Sequence, residues 1–296
     1  MRHKEGQLTP DDVSEQIRGL TSEAYVAPDY LQLFQEVFGA QYETERKLRV
    51  KELYPLITRE EAARRIGQGL PVIDYSKLQF DEVEFHDLLE RMCCILTKDA
   101  ADKNLAVERL LEAGKAGEVS LEDLTRTVIT RDGECLEQIC EKVGGDKEEV
   151  VFIATALVAP LLRVCARSLR PKVDLDQVLT DRCPICGGTP LMAKLRREDG
   201  KRILECSLCN TQWAFKRLRC PFCGNEDADT LGFFFVEEAT YRVDKCDKCK
   251  RYIKTVDERK KPEGGLRALL VEDVATLYLD MLAAKEGYQS IREHKN

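Results

Sequence analysis

Between positions 183 and 249 the chain repeats one short pattern four times: Cys183-Pro-Ile-Cys186, Cys206-Ser-Leu-Cys209, Cys220-Pro-Phe-Cys223 and Cys246-Asp-Lys-Cys249. No other feature of the 296 residues restricts the fold as strongly. One Cys-x-x-Cys knuckle supplies two ligands and a tetrahedral thiolate site needs four, so the knuckles must meet in pairs. Consecutive pairing leaves 19 residues between the first two knuckles and 22 between the last two, spans that suit a hairpin or a short three-stranded sheet. Crossed pairings need longer closures. Both halves open with Arg-Cys-Pro-x-Cys-Gly, as a duplicated unit would. The Pro stiffens the knuckle, and the Gly permits the positive φ that turns backbone N–H groups toward sulfur.

The eight knuckle cysteines are therefore candidate metal ligands. Such tetrathiolate sites are usually closed and structural, with no open position for a substrate. Four thiolates suit zinc, and they also suit a mononuclear iron of the rubredoxin kind. Asn210 and Lys250 follow the second knuckle of each pair where rubredoxins usually carry Gly, which is closer to a zinc ribbon. Spacing leaves both metals open. The other five cysteines, Cys93, Cys94, Cys135, Cys140 and Cys165, fall in apolar helical stretches and read as small buried hydrophobes.

Residues 1–175 read as a helical domain. Thr9-Pro10-Asp11-Asp12, Pro28-Asp29, the capping box Thr58-Arg-Glu-Glu61 and Asp81 mark helix starts. Leu31, Leu33, Phe34, Val37 and Phe38 form one apolar face, and Val83, Leu88, Leu89, Met92 and Ile95 form another. Further helices are expected over 102–113, 120–129, 132–143 and 147–170. The last is apolar almost all round and so central to the bundle, with a kink at Pro160. Two metal modules follow, at 181–217 and 218–261, with strand-like pieces at Arg202-Ile-Leu204 and Phe233-Phe-Phe-Val236. Over 266–288 the apolar spacing of Leu270, Val274, Leu277, Tyr278, Met281 and Leu282 predicts a C-terminal helix that docks on the bundle or on the modules. The expected fold class is α+β: a helical bundle, two tandem rubredoxin-like or zinc-ribbon four-cysteine modules, and a C-terminal helix.

Charge narrows the function. The chain carries a formal −7, which argues against a general nucleic-acid binder. Residues 181–261 alone hold 18 Lys and Arg against 13 Asp and Glu. Two tetrathiolate sites, each left at −2 around a divalent ion, would nearly cancel that excess. No signal core is visible, and the longest apolar run, Val150–Leu162, is too short to span a bilayer. The reading is a cytoplasmic protein without membrane insertion, in a compartment where paired cysteines bind metal rather than oxidise. The three histidines, His3, His86 and His294, neighbour no knuckle. No nucleophile elbow, phosphate loop or dinucleotide fingerprint occurs. The acid pairs sit at helix starts, where the helix dipole accounts for them. No catalytic residues are assigned, and the chain does not read as an enzyme.

Cys206-Ser-Leu-Cys209 with Thr211-Gln-Trp213 and Arg217-Leu-Arg-Cys220, then Cys246-Asp-Lys-Cys249 with Tyr252-Ile-Lys-Thr255-Val-Asp257, resemble the core signature of the formate dehydrogenase accessory protein family, the FdhE type. The tail Asp273-Val-Ala-Thr-Leu277, Leu279-Asp280 and Glu286-Gly-Tyr288 fits as well, so the resemblance covers 183–288. It implies a cytoplasmic, non-enzymatic maturation factor that binds the formate dehydrogenase catalytic subunit and is needed for that enzyme's assembly or activity. It also implies rubredoxin-like iron at the knuckles. The strict Cys-Pro-x-Cys-Gly at 220–224 departs from some relatives and favours zinc. A zinc-ribbon nucleic-acid binder and a small iron redox carrier stand as alternatives. The partner surface is expected where the modules meet the bundle, with Trp213 and Tyr252 as exposed candidates.

Overall fold

A computed structural model describes residues 10–22, 26–79, 81–98, 105–130, 133–236 and 240–290. The Thr9 cap, His3 and His294 lie outside them. The helical part comprises α1 (Pro10–Arg18), α2 (Pro28–Lys47), α3 (Val50–Leu53), α4 (Arg59–Gly67), α5 (Glu82–Thr97), α6 (Leu105–Lys115), α7 (Leu121–Thr130), α8 (Gly133–Val143) and α9 (Lys147–Leu169). The caps work as sequence chemistry dictates. Thr58, Asp81 and Asp146 each accept a hydrogen bond from the backbone N–H three residues on, satisfying a donor that the helix leaves orphaned.

Helix α9 is buried over most of its length and continues as α-helix through Pro160. Among the described residues it is the one helix apolar and long enough to cross a membrane, and 78% of that stretch is buried inside the fold. It crosses a buried polar knot. Arg163 donates to Glu45 and to Gln41 (2.9 Å), Arg167 donates to Glu45, and Gln41 donates to the Ala156 carbonyl (2.8 Å). On α5 the apolar face differs from expectation. Val83 is 77% exposed, and Phe85 takes the buried position.

The two cysteine units each form a three-stranded antiparallel sheet, β1 (Pro190–Leu195), β2 (Arg202–Cys206), β3 (Gln212–Phe215) and β4 (Leu231–Val236), β5 (Tyr241–Cys246), β6 (Arg251–Asp257). The fold is α+β, but the units do not stand apart. Strands β1 and β6 pair in parallel, Ala193 opposite Thr255, and fuse them into one mixed sheet of order β3-β2-β1-β6-β5-β4.

The C-terminal segment forms two helices, α10 (Leu269–Ala275) and α11 (Leu277–Lys285), rather than the single one expected. The break falls at Thr276, whose hydroxyl donates to the Glu272 carbonyl (2.7 Å), a local bond that competes with helix continuation. Both expected docking partners are used. Val271, Val274 and Ala275 pack with Val13, Ile17, Leu31 and Phe38 of α1 and α2, while Leu279 and Ala283 pack on Val243 and Tyr252 of the sheet.

Candidate metal centres

Each knuckle is a tight turn closed by the same bond, from the N–H after its second cysteine to the carbonyl of its first. Gly187 bonds Cys183 (2.8 Å), Asn210 bonds Cys206 (3.3 Å), Gly224 bonds Cys220 (3.0 Å) and Lys250 bonds Cys246 (2.9 Å). All four closing residues are left-handed, with φ of 76°, 54°, 70° and 57°. Asn210 and Lys250 are the only non-glycine residues with positive φ among those described. The absence of Gly after two knuckles therefore marks no change of geometry. The turn imposes φ > 0 whichever residue fills it, at some cost for lysine.

The turns bring the sulfurs together in two groups, Cys183, Cys186, Cys206 and Cys209, then Cys220, Cys223, Cys246 and Cys249, each within 4.8 Å of one another. Within the first group the Cys183–Cys209 and Cys186–Cys206 separations are 3.6 and 3.4 Å. Within the second, Cys220–Cys249 and Cys223–Cys246 are 3.7 and 3.8 Å. A disulfide needs about 2.05 Å. Sulfurs on a tetrahedron about 2.3 Å from a central ion stand about 3.8 Å apart, close to what is observed. Backbone N–H groups of Gly188, Leu208 and Phe222 donate to Cys186, Cys206 and Cys220 (3.4 Å each), as thiolate acceptors require. Burial against neighbouring sulfurs pushes the Cys186 and Cys206 thiols well above their ordinary range. Four thiolates can share this space only against a compensating cation. Each group could thus hold one metal ion.

The centres differ in setting. All four sulfur residues of the first are buried. Its knuckle is clasped by the helical part: Val72 and Ile73 donate to the Pro184 and Ile185 carbonyls (2.8 Å each), Tyr75 to Cys186 O and Arg170 to Cys209 O. Gly188 permits this closeness, since a Cβ there would lie 2.8 Å from Cys206 Sγ. The second centre sits at the rim, with Cys223 exposed and Cys249 half-buried. Leu218, Phe233 and Phe235 are exposed at 67, 52 and 51%. Leu218 and Phe233 share a cleft with Cys220 and Cys246, and Phe235 stacks edge-on against Phe233.

Trp213 and Tyr252 are not surface residues. Trp213 is 1% exposed and donates to Thr180 O (2.8 Å), and Tyr252 is 6% exposed and donates to Asp280 (2.7 Å). Lys254 of the same strand reaches Asp273 (2.8 Å) and Asp280 (2.7 Å). The Tyr-x-Lys motif is a buried clamp that holds α10 and α11 on the sheet. Of the other cysteines, Cys135 and Cys165 are buried as expected, and burial pushes the Cys165 thiol up to about 12. Cys93 and Cys140 are half-buried, and Cys94 is exposed, contrary to its reading as core. His86 packs against Phe85 in α5.

Residues 182–217 match the family model described as FdhE, central domain, and residues 218–295 match FdhE, C-terminal domain. The boundary between the two falls between the two cysteine units. "Protein FdhE homolog" of Aquifex aeolicus is 33% identical over 48% of this chain and 50% of its own length, so that match spans half of the relative. "Protein FdhE" of Escherichia coli O139:H28 is 28% identical over 75% of this chain and 68% of its own. The crystal structure of the FdhE protein from Pseudomonas aeruginosa has the same fold, with a TM-score of 0.62 at 22% identity over 96% of this chain and 95% of that one. Two matched family domains, relatives along three quarters of the chain and a shared fold lead to one conclusion: this chain belongs to the FdhE family.

Proposed function

We propose that the protein is a cytoplasmic, non-enzymatic maturation factor that binds the formate dehydrogenase catalytic subunit through the face around its second metal centre. In this reading Cys183, Cys186, Cys206 and Cys209 hold one metal ion, and Cys220, Cys223, Cys246 and Cys249 hold another. The ions are zinc or iron, which a visible spectrum separates, since ferric tetrathiolate is red and the zinc form colourless. The organisation is a helical domain over 1–175, metal modules over 181–217 and 218–261, and a docked C-terminal segment over 266–288.

The observation that carries the proposal is the unequal setting of the two centres. The first is sealed within the junction of helices and sheet, as a structural ion requires. The second is open at the rim beside exposed Leu218, Phe233 and Phe235. Large apolar side chains grouped beside an exposed site are where a protein partner gains binding energy. Membership of a family of formate dehydrogenase accessory proteins supports the choice of partner in this reading.

The test is capture of the catalytic subunit and rescue of formate dehydrogenase activity in a deletion strain. A variant carrying L218S, F233S and F235S should keep two metal equivalents and lose both functions. C183S/C186S should lose one equivalent together with the fold of the first unit, since a structural site contributes about 10–16 kcal/mol. Undiminished capture and rescue by the rim variant would remove this face from the proposal.

A further inference from the structure

Beside the second centre the sheet holds a cleft of about 160 Å³. A water molecule occupies about 30 Å³ in the liquid, so the cleft admits a group several times larger. Six cationic side chains line it against one carboxylate, Asp244. Two of the six are occupied elsewhere: Arg219 is tied to Asp181 and Glu226, and Lys245 to Tyr288 and Asp247. Four guanidiniums remain, Arg202 from β2, Arg217 from the loop after β3, Arg242 from β5 and Arg251 from β6.

These four share one carboxylate and are unequally compensated: Arg242 is held by Asp244 and lies over the Phe233 ring, Arg202 is buried and only partly met, Arg251 is half-buried and Arg217 is exposed. Asp244 faces Arg242 (2.9 Å) and Arg202 (3.3 Å) and also accepts from Thr255 (2.7 Å). Arg202 is 3% exposed, yet its Nε and Nη2 are buried without a hydrogen-bond acceptor. Its burial lowers the guanidinium below its ordinary value, against the pull of Asp244. Among the described residues the Arg217 and Arg251 side chains have no hydrogen-bond or ion-pair partner. A buried guanidinium with two nitrogens left without a hydrogen bond is costly, and an anion that accepts from them would offset that cost. The neighbouring sulfurs do not meet this need by hydrogen bonding: Cys220 accepts from the Phe222 N–H, and the Arg202 Nη1 donates to the Arg219 carbonyl (3.1 Å).

We infer that this cleft is a binding site for a multiply charged oxyanion of the phosphate class. A single carboxylate would be satisfied by one guanidinium fork, whereas four converging from three strands and a loop match a tetrahedral dianion with several acceptor oxygens. Phe222 and Phe233 also line the cleft.

The experiment titrates inorganic phosphate into the full-length, metal-loaded protein by calorimetry and 31P NMR, with metal content measured before and after. The expected result is one saturable site in which sulfate competes and acetate does not. Binding should weaken on the order of tenfold or more in R217A/R251A, with metal content unchanged. Arg217 is exposed and Arg251 half-buried, and folding is checked by retained metal and circular dichroism. R217K/R251K, which keeps charge but loses the fork, should fall between the two. If phosphate does not saturate at millimolar concentration, if acetate binds equally well, or if R217A/R251A binds like wild type, the inference is wrong. Titration of a nucleoside diphosphate beside free phosphate then separates the two sources of the group: tighter binding means that the phosphate arrives on a larger ligand, and equal binding that the free ion suffices.

Discussion

Replacing Lys254 by Met should detach the C-terminal helices from the sheet. Lys254 lies between Asp273 and Asp280, at 2.8 and 2.7 Å, and it also donates to the Asp273 carbonyl at 2.8 Å. Its side chain is 3% exposed and that of Asp273 is 5%, so solvent screens that pair little; Asp280 is 29% exposed and adds less. Methionine keeps the apolar stem but leaves the Asp273 carboxylate without Lys254. Breaking a buried pair on one side costs about 3–5 kcal/mol, equivalent to about two to four decades in the folding equilibrium. The loss should concentrate in α10 and α11, whose attachment depends on the clamp. Urea unfolding measures the total, and amide hydrogen exchange locates it. K254M/D273L should cost less than the sum of its single replacements, because the carboxylate that lost Lys254 is removed with it. A loss below about 1 kcal/mol, with unchanged protection over 269–285, would show that the clamp does not hold these helices.

Chelator should strip the metal bound at Cys220, Cys223, Cys246 and Cys249 before that at Cys183, Cys186, Cys206 and Cys209, because only the second set contains an exposed cysteine; release in two phases, with Cys223 alkylated in the first, checks the order. Glu45→Gln should destabilise the helical part by about 3 kcal/mol in thermal or urea unfolding, since Arg163 and Arg167 both converge on that buried carboxylate. Lys250→Gly should retain metal and gain about 1 kcal/mol, because it removes a side chain from a left-handed position; a loss of stability would count against backbone strain there. Glu272 gives a pH signature. Burial alone would push its carboxyl up, but Arg267, Lys261 and the Tyr241 hydroxyl hold it below the ordinary value. A depressed folded value contributes stability above about pH 4.3 and loses it as pH falls through the folded value. E272Q should therefore flatten the acid side of the stability curve, and a curve parallel to wild type would refute this.

The sequence alone carried the local chemistry. The Cys-x-x-Cys spacing and the repeated Arg-Cys-Pro-x-Cys-Gly marked two four-sulfur groups, because a turn that presents two sulfurs is encoded within about five residues. Helix starts at Pro28, Thr58 and Asp81 were legible for the same reason, since caps act over three or four residues. Tertiary structure decided what depends on distant partners. The parallel pairing of β1 with β6 joins residues some sixty positions apart and leaves no periodic trace. Trp213 and Tyr252 are amphipathic side chains that serve equally well at a surface or beneath one, and only the Thr180 carbonyl and Asp280 settle them inside. The two centres read as equals in sequence; packing of residues 71–75 and Arg170 against the first seals it, while the second keeps an open flank. The convergence of Arg202, Arg217, Arg242 and Arg251 was likewise hidden, because four arginines spread over about fifty residues become one site only when the strands that carry them lie side by side.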